Sequence, residues 1–191
     1  MVRIFLIRHG EPAGAWGMVD DPGLSARGMA QARTAAEAIA GLGPVTLVCS
    51  PLRRCRDTAA TAARLLRRPC AIDVAVAEVR TPAGLADRRA WLQRTFAWRA
   101  DASPVLWSSV EQETRAWRDE LLRAAQAWDS DVAVFTHFIA INVIVGAALN
   151  SEGTLVCRPD HASITEVVNE HGALKLVKLG AQMQHQASEA R

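Results

Sequence analysis

Short apolar segments that alternate with helix-like segments are the feature that most constrains this chain. Residues 2–7 form a β-branched apolar run that ends abruptly at the polar sequence Arg8-His9-Gly10. Residues 45–49 and 131–136 repeat the pattern, and the second of these runs is followed directly by His137. Such runs indicate buried parallel strands, and open α/β sheets bind ligands at the carboxyl ends of their strands. We therefore expect functional side chains just after these strands.

Helix signals occupy the intervals between the strand-like runs. Ser25 predicts an N-cap for a helix over residues 26–42, and Ser50-Pro51 predicts an N-cap and first helical residue for a helix through residue 66. Further helices are predicted over residues 85–98, 110–128 and 138–149, and further strands over residues 71–76, 154–157, 163–168 and 173–179, with a hairpin turn at 169–172.

This order predicts an α/β fold, a three-layer αβα sandwich whose central sheet is mostly parallel and contains at least one antiparallel strand. A length of 191 residues predicts a single domain over residues 1–191. Four tryptophans, Trp91, Trp98, Trp107 and Trp117, fall in the middle of the chain. They fit either a helical cap at about residues 80–128 over the ligand end of the sheet or ordinary packing against the main core.

Composition excludes several classes of protein. The 22 Lys and Arg nearly cancel the 20 Asp and Glu, so we expect no nucleic acid partner. Cys49, Cys55, Cys70 and Cys157 lack CxxC spacing and are expected to be reduced thiols, without a metal site. Residues 138–149 are too short to span a bilayer, and the first residues lack a secretory pattern, so a cytoplasmic protein without membrane contact is expected.

Arg8 and His9 form the first candidate site. A neutral imidazole at a strand end is a good nucleophile, and an adjacent guanidinium holds phosphate oxygens by paired hydrogen bonds. Gly10 allows a close backbone approach. By itself, an Arg-His pair after a strand is more often a surface or capping feature.

Arg53 and Arg54 lie where the second helix begins, so their charges combine with the helix dipole to favour an anion. Arg54 is our first choice for the pocket and Arg53 the second, although some arginines of this segment belong to a solvated surface. His137 is a candidate donor to a transferring phosphoryl group, and Glu78, in an irregular segment, is a candidate proton donor.

Taken together, these residues resemble the histidine phosphatase superfamily, branch 1, also called phosphoglycerate mutase-like. Arg8-His9-Gly10-Glu11 is similar to the signature of that family, and Leu24-Ser25 with Gly28 and Gln31-Ala32 resembles its first-helix pattern. Ser50-Pro51-Leu52-Arg53-Arg54 with Thr58-Ala59 resembles its second-arginine motif, and Glu78 and His137 follow in the family's order.

The resemblance implies that His9 attacks phosphorus and that Arg8, Arg54 and His137 hold the phosphoryl oxygens. Glu78 would protonate the leaving group and then help to activate water. No metal and no cofactor is then expected, since cationic and donor side chains can stabilise the phosphoryl charge.

Several positions depart from the family's pattern. Pro12 and Ala15 replace the threonine and asparagine that often follow the signature, and Phe138 replaces a glycine after the second histidine. Residues 159–164 resemble the stretch that enters the last strands, and we interpret His161 there as part of a structural turn. The tail from Ala181 is expected to be mobile.

The leading hypothesis is a phosphatase that acts on a small phosphorylated metabolite. Phosphoglycerate mutase-type phosphoryl transfer is one alternative, and a non-catalytic protein of the same fold that binds a phosphorylated ligand is another. Retention of a candidate nucleophile favours the enzyme over the binding protein.

Overall fold

The computed structural model describes residues 1–14, 21–43, 45–85, 87–96 and 103–183. The strands are β1 (Val2–Arg8), β2 (Thr46–Cys49), β3 (Cys70–Ile72), β4 (Val132–Thr136), β5 (Ile164–Glu170) and β6 (Ala173–Lys178). The α-helices are α1 (Ala26–Ala40), α2 (Arg53–Leu66), α3 (Arg88–Thr95), α4 (Gln112–Ala127) and α5 (Phe138–Ala148). Short 3-10 turns lie at Val74–Val76 and Trp107–Ser109.

The strands form one sheet in the order β3-β2-β4-β1-β5-β6. The first four are parallel to one another, whereas β5 is antiparallel to both β1 and β6. The predicted mostly parallel sheet with an antiparallel addition is therefore confirmed. The central position belongs to β4 and β1, which the sequence identifies as its most apolar strands.

Alternating side chains of the central strands supply both faces of the sheet. Ile4 and Leu6 of β1 join the core formed with α3, α4 and α5, whereas Phe5 and Ile7 join the core formed with α1 and α2. This period of two, with both faces covered by helices, is what a buried parallel strand requires. The three-layer αβα sandwich is confirmed.

One of the two predicted caps is confirmed and the other is wrong. Ser25 Oγ accepts a hydrogen bond from Gly28 N at 2.9 Å and caps α1. The N-cap of α2 is Leu52, without a side-chain hydrogen bond, because the chain at Ser50 is still paired with β4 through Ser50 N and Phe135 O at 3.0 Å.

Two predicted strands differ from the structure. The predicted strand over residues 71–76 is replaced by β3 and a 3-10 turn, because Asp73 Oδ1 accepts a hydrogen bond from Ala75 N and starts the turn. Residues 154–157 are not a strand, since the amides of Val156 and Cys157 both donate to the side chain of Asn142. A buried amide thus replaces a strand partner.

The middle segment packs against the main core. Trp91, Phe96 and Trp107 stack edge to face, with ring centroids 5.8 and 6.1 Å apart, in the same cluster as α5. This arrangement supports ordinary packing for Trp91 and Trp107, and a cap over the ligand end stays a prediction. Trp98 lies outside the described residues.

The expectation of a mobile tail is wrong for its first residues. Ala181 O accepts from Asp160 N at 2.8 Å, and Met183 N donates to Arg158 O at 2.7 Å. Residues 184–191 lie outside the described part of the chain. Among the described helices, none combines the length and apolarity that crossing a bilayer requires.

Gly28 allows α1 to lie directly against the loop that follows β1. A Cβ atom at Gly28 would overlap the carbonyl oxygen of Glu11, and one at Gly10 would lie 2.6 Å from the carbonyl oxygen of Gly28. Backbone atoms cannot yield as a flexible side chain can. The two glycines therefore set how closely the helix approaches the loop.

We predict that Gly28→Ala lowers the free energy of unfolding by about 1–3 kcal/mol, because overpacking forces the helix away from the loop. Gly41→Ala is the matched control, since a Cβ atom there lies 3.4 Å from Ala38 O at a φ of −79°. That control should lie within about 1 kcal/mol of wild type. Equal stability of the two variants in urea unfolding would contradict the close contact.

Candidate active site

Three adjacent parallel strands end at one edge of the sheet and bring their following residues together. The backbone pairing continues one residue past the strands, because His9 N donates to Thr136 O at 3.0 Å and Ser50 N donates to Phe135 O at 3.0 Å. His9, His137 and Ser50 therefore lie side by side at the carboxyl edge. The ring centroids of the two histidines are 5.3 Å apart.

The loop after β1 is held by side chains from both helices on one face. Gly10 N donates to Thr58 Oγ1 at 3.0 Å, and Thr58 Oγ1 donates in turn to Arg54 O at 2.7 Å. Glu11 N donates to Gln31 Oε1 at 2.8 Å. The threonine and glutamine that stand out in the sequence motifs thus hold the backbone around His9.

The tautomer of His9 follows from its hydrogen bond. Nδ1 lies 2.8 Å from Gly10 O. A carbonyl oxygen only accepts, so Nδ1 carries the proton and donates it to this bond. Nε2 of the neutral ring then has its lone pair available.

Burial keeps the His9 ring neutral. Desolvation lowers the pKa of His9 well below 6.5, and His137, Arg8 and Arg54 lower it further. Desolvation and positive neighbours both disfavour an imidazolium, so they act in the same direction. At neutral pH, His9 is an unprotonated nitrogen base surrounded by cations.

Of the two adjacent arginines, Arg54 is the one that reaches the histidines. Its Nη2 lies 3.2 Å from His137 Nδ1, and its side chain is largely buried. The side chain of Arg53 is 63% exposed and its Nε lies 3.7 Å from Asp57 Oδ2 on the same helix. The order of preference between the two arginines thus agrees with their placement.

His137 is fully buried, and both of its ring nitrogens have protein partners. Because a guanidinium only donates, Nδ1 accepts from Arg54 and the proton lies on Nε2, which is 2.8 Å from Ser50 Oγ. Cys55 Sγ, a buried thiol, lies 3.3 Å from the same nitrogen. Burial, together with Arg54 and Arg8, lowers the pKa of His137 well below 6.5.

Arg8 is buried beside the same pocket. Its Nη1 donates to Pro159 O at 2.9 Å, and its guanidinium carbon lies 5.1 Å from the centre of the Phe138 ring. Burial lowers its pKa to about 10, which leaves it charged at neutral pH. Its Nε is buried without a partner among the described residues. The aromatic ring at the unusual position 138 therefore supports the guanidinium.

Glu78 joins the site from the segment after the 3-10 turn. Its Oε2 accepts from Ile139 N, in the first turn of α5, at 3.2 Å, and its Oε1 accepts from Val79 N at 3.1 Å. Burial raises the pKa of Glu78 above 4.5, against the lowering effects of these bonds and of Arg54. A carboxyl group whose pKa is raised is suited to donate a proton.

Arg88, the first residue of α3, ties the Glu78 segment in place. Its Nη1 donates to Thr81 Oγ1 at 2.6 Å and its Nη2 donates to Val79 O at 2.8 Å. Its charge acts on both Glu78 and His137. The sequence marks Arg88 only as one arginine among several in the middle segment, because nothing local shows that α3 begins beside the site.

Sequence reasoning missed two further residues of the site. Ser50 was interpreted as a helix cap, although its hydroxyl is the partner of His137. His161 was interpreted as part of a turn, although its ring centroid lies 5.7 Å from that of His9. Only the pairing of β5 with β1 brings His161 there. Ala15 lies outside the described residues, and Pro12 forms an isolated bridge with Leu24.

Metal chemistry finds no ligand cluster here: the described residues hold no group of three or more His, Cys, Asp or Glu that could bind a metal ion. All the cysteines are free thiols, as expected from their spacing. The charged groups that converge are cationic arginines and one carboxyl. That set is suited to bind an anion and to move a proton.

Comparisons with known proteins agree on one family. Residues 4–182 match the sequence model of the histidine phosphatase superfamily, branch 1. A bifunctional protein of Mycobacterium tuberculosis is 30% identical over 206 aligned positions, which cover 90% of this chain and 55% of that protein. The chain thus spans about half the length of the curated relatives it matches.

Solved structures show the same fold at low sequence identity. The α-ribazole phosphatase of Shigella flexneri has a TM-score of 0.71 at 18% identity, covering 97% of this chain and 100% of that one. A phosphoserine phosphatase variant of Entamoeba histolytica, in complex with phosphoserine, has a TM-score of 0.69 at 19% identity, covering 95% and 98%.

The three buried histidines predict a dependence of stability on pH. The pKa values of His9, His137 and His161 are lowered by burial, that of His161 to about 4. Unfolding then takes up protons below pH 6.5, so the free energy of unfolding falls as the pH falls from 6.5 to 5. Glu78 acts in the opposite direction because its pKa is raised.

Urea unfolding between pH 7 and 5 measures this proton uptake as a slope. His161→Asn should reduce the uptake by about one proton between pH 6 and 5. His171→Asn is the matched control, since His171 is exposed in the turn between β5 and β6, and should leave the slope unchanged. An unaltered slope in His161→Asn would show that His161 is not neutral in the folded protein.

Proposed function

Because the chain belongs to the histidine phosphatase superfamily, branch 1, we propose that it hydrolyses a small phosphomonoester through a phosphohistidine on His9. The proposal is carried by the hydrogen bond between His9 Nδ1 and Gly10 O at 2.8 Å. That bond places the proton on the nitrogen that faces the backbone. The lone pair of Nε2 is left to attack phosphorus.

Arg8 and Arg54 supply the charge that holds the phosphoryl oxygens. Both are largely buried, and each lies close enough to lower the pKa of His9. In a site that excludes water, cationic donors interact strongly with the charge that develops on the equatorial oxygens. These side chains take the part that a metal ion plays in many other phosphoryl-transfer enzymes.

His137 needs a change of tautomer before it donates to the phosphoryl group. In the substrate-free arrangement its Nδ1 accepts from Arg54 and its Nε2 donates to Ser50. A serine hydroxyl both donates and accepts, so Ser50 accommodates a proton on either ring nitrogen. A phosphate that draws Arg54 to its own oxygens frees Nδ1 to carry the proton and donate.

Glu78 is the proposed acid and base. As Nε2 forms its bond to phosphorus, the bond from phosphorus to the ester oxygen breaks and the Glu78 carboxylic acid protonates the leaving oxygen. In the second step the Glu78 carboxylate takes a proton from water, the water oxygen bonds to phosphorus, and the bond to Nε2 breaks. Inorganic phosphate leaves, and both residues return to their initial states.

Replacement of the nucleophile tests the proposal most directly. We expect the wild type to hydrolyse 4-nitrophenyl phosphate or a member of a panel of metabolite phosphates without added metal. His9→Ala should lower kcat by at least about 1000-fold, and His171→Asn should not. Acid lability and base stability of phosphate bound to the wild type would identify a bond to imidazole nitrogen.

Turnover by His9→Ala equal to that of the wild type would exclude the mechanism. A wild type that binds phosphate but hydrolyses no ester would instead support the non-catalytic alternative. A wild type that exchanges phosphoryl groups between two metabolites faster than it releases phosphate would support the mutase.

The role of Glu78 is tested by the leaving group. Glu78→Gln should lower kcat on an alkyl ester such as phosphoserine by about 100- to 10,000-fold, because the alkoxide needs a proton. Hydrolysis of 4-nitrophenyl phosphate should fall much less, since the phenolate leaves without one. Glu113→Gln, an exposed residue in the first turn of α4, is the control. Equal losses on both esters would exclude Glu78 as the acid.

A further inference from the structure

His161 contacts the imidazole of His9 on a different side from His137. The ring centroids of His161 and His9 are 5.7 Å apart at an interplanar angle of 49°, and those of His137 and His9 are 5.3 Å apart at 61°. The His161 side chain is 21% exposed, whereas His9 and His137 are buried. One imidazole ring is thus in contact with two others.

The turn that carries His161 is built onto the backbone of the nucleophile. Ala162 has a φ of +56°, and its amide lies 3.0 Å from Arg8 O and 3.3 Å from His9 O. Ser163 N donates to Asp160 O at 3.1 Å, and His161 N donates to Asp160 Oδ1 at 2.7 Å. A left-handed alanine is unfavourable and persists only where its surroundings determine it.

We propose that His161 is a positioning residue that holds the His9 ring in its attacking orientation and keeps water from its inner side. This proposal rests on the assignment of His9 as the nucleophile. Two features carry it, the contact between the rings and the strained turn that bonds to the carbonyl oxygen of His9 itself. His161 acts through His9 and does not touch the reacting phosphorus.

The charges around the two rings explain why a neutral imidazole is suited to this place. His9 is surrounded by Arg8, Arg54 and His137. When Nε2 bonds to phosphorus, the ring that keeps its proton on Nδ1 takes on positive charge. A third cation against that ring would oppose the step.

The surroundings of His161 keep it neutral. Burial lowers its pKa to about 4, and Arg8 and Arg27 lower it as well, against the raising effects of Asp160 and Glu11. At neutral pH it therefore presents an uncharged ring to His9. Its contribution is packing and exclusion of water rather than charge.

The kinetic test compares His161→Ala with His161→Phe, which keeps a ring without a titratable nitrogen. We expect His161→Ala to lower kcat about 10- to 100-fold, since a small displacement of a reacting group has an effect of this size. The loss should be the same for 4-nitrophenyl phosphate and for phosphoserine, because the leaving group is not contacted. His161→Phe should restore most of the rate, and His171→Asn should match wild type.

A spectroscopic test does not depend on turnover. The His9 imidazole is titrated by NMR in the wild type and in the same variants. His161→Ala should raise the pKa of His9 toward its ordinary value, because water reaches the ring and desolvation is the main cause of the lowering. His161→Phe and His171→Asn should leave it low.

An unchanged titration of His9 in His161→Ala would overturn the inference, as would an increase in KM for one ester with kcat unchanged. If the wild type hydrolyses no phosphate ester, the proposed function fails, yet the titration still decides whether His161 shields His9. The two failures are therefore distinguishable.

Discussion

The site depends on one backbone hydrogen bond, from His9 N to Thr136 O, which extends the pairing of two parallel strands beyond their last residues. Because β1 and β4 run in the same direction, this bond places the residues that follow them side by side. His9 and His137 could not be so close if either strand were reversed. Thr136 is itself held from the other side, since its hydroxyl donates to Val76 O at 2.6 Å.

Burial then determines the chemistry of the residues that meet there. Removing imidazoles from water lowers their pKa values, and removing a carboxyl from water raises its pKa. The same physical effect thus leaves His9 unprotonated and favours the protonated form of Glu78. A nucleophile and an acid in their working forms follow from one property of the pocket, its exclusion of solvent. The arginines stay charged because their ordinary pKa is far higher.

Much of this arrangement could be predicted from the sequence, because apolar strands and helix signals are local. β1, β4 and α5 were predicted within a residue or two, and the residues after the strands were identified as the site. Ser50 was misinterpreted because a serine before proline is also a helix cap, and only the pairing of β2 with β4 shows that the chain is still extended there. His161 was missed because its proximity to His9 depends on antiparallel pairing of residues more than 150 positions apart.

Asn142 links the two walls of the nucleophile. Its Oδ1 accepts from Val156 N and Cys157 N at 2.8 and 2.9 Å, and its Nδ2 donates to Phe138 O at 3.0 Å. The helix that follows His137 and the segment that leads to His161 are thereby joined through a single side chain. An amide neither ionises nor is oxidised under ordinary conditions, so the width of the slot around His9 is set by a group that is insensitive to acidity and to redox state.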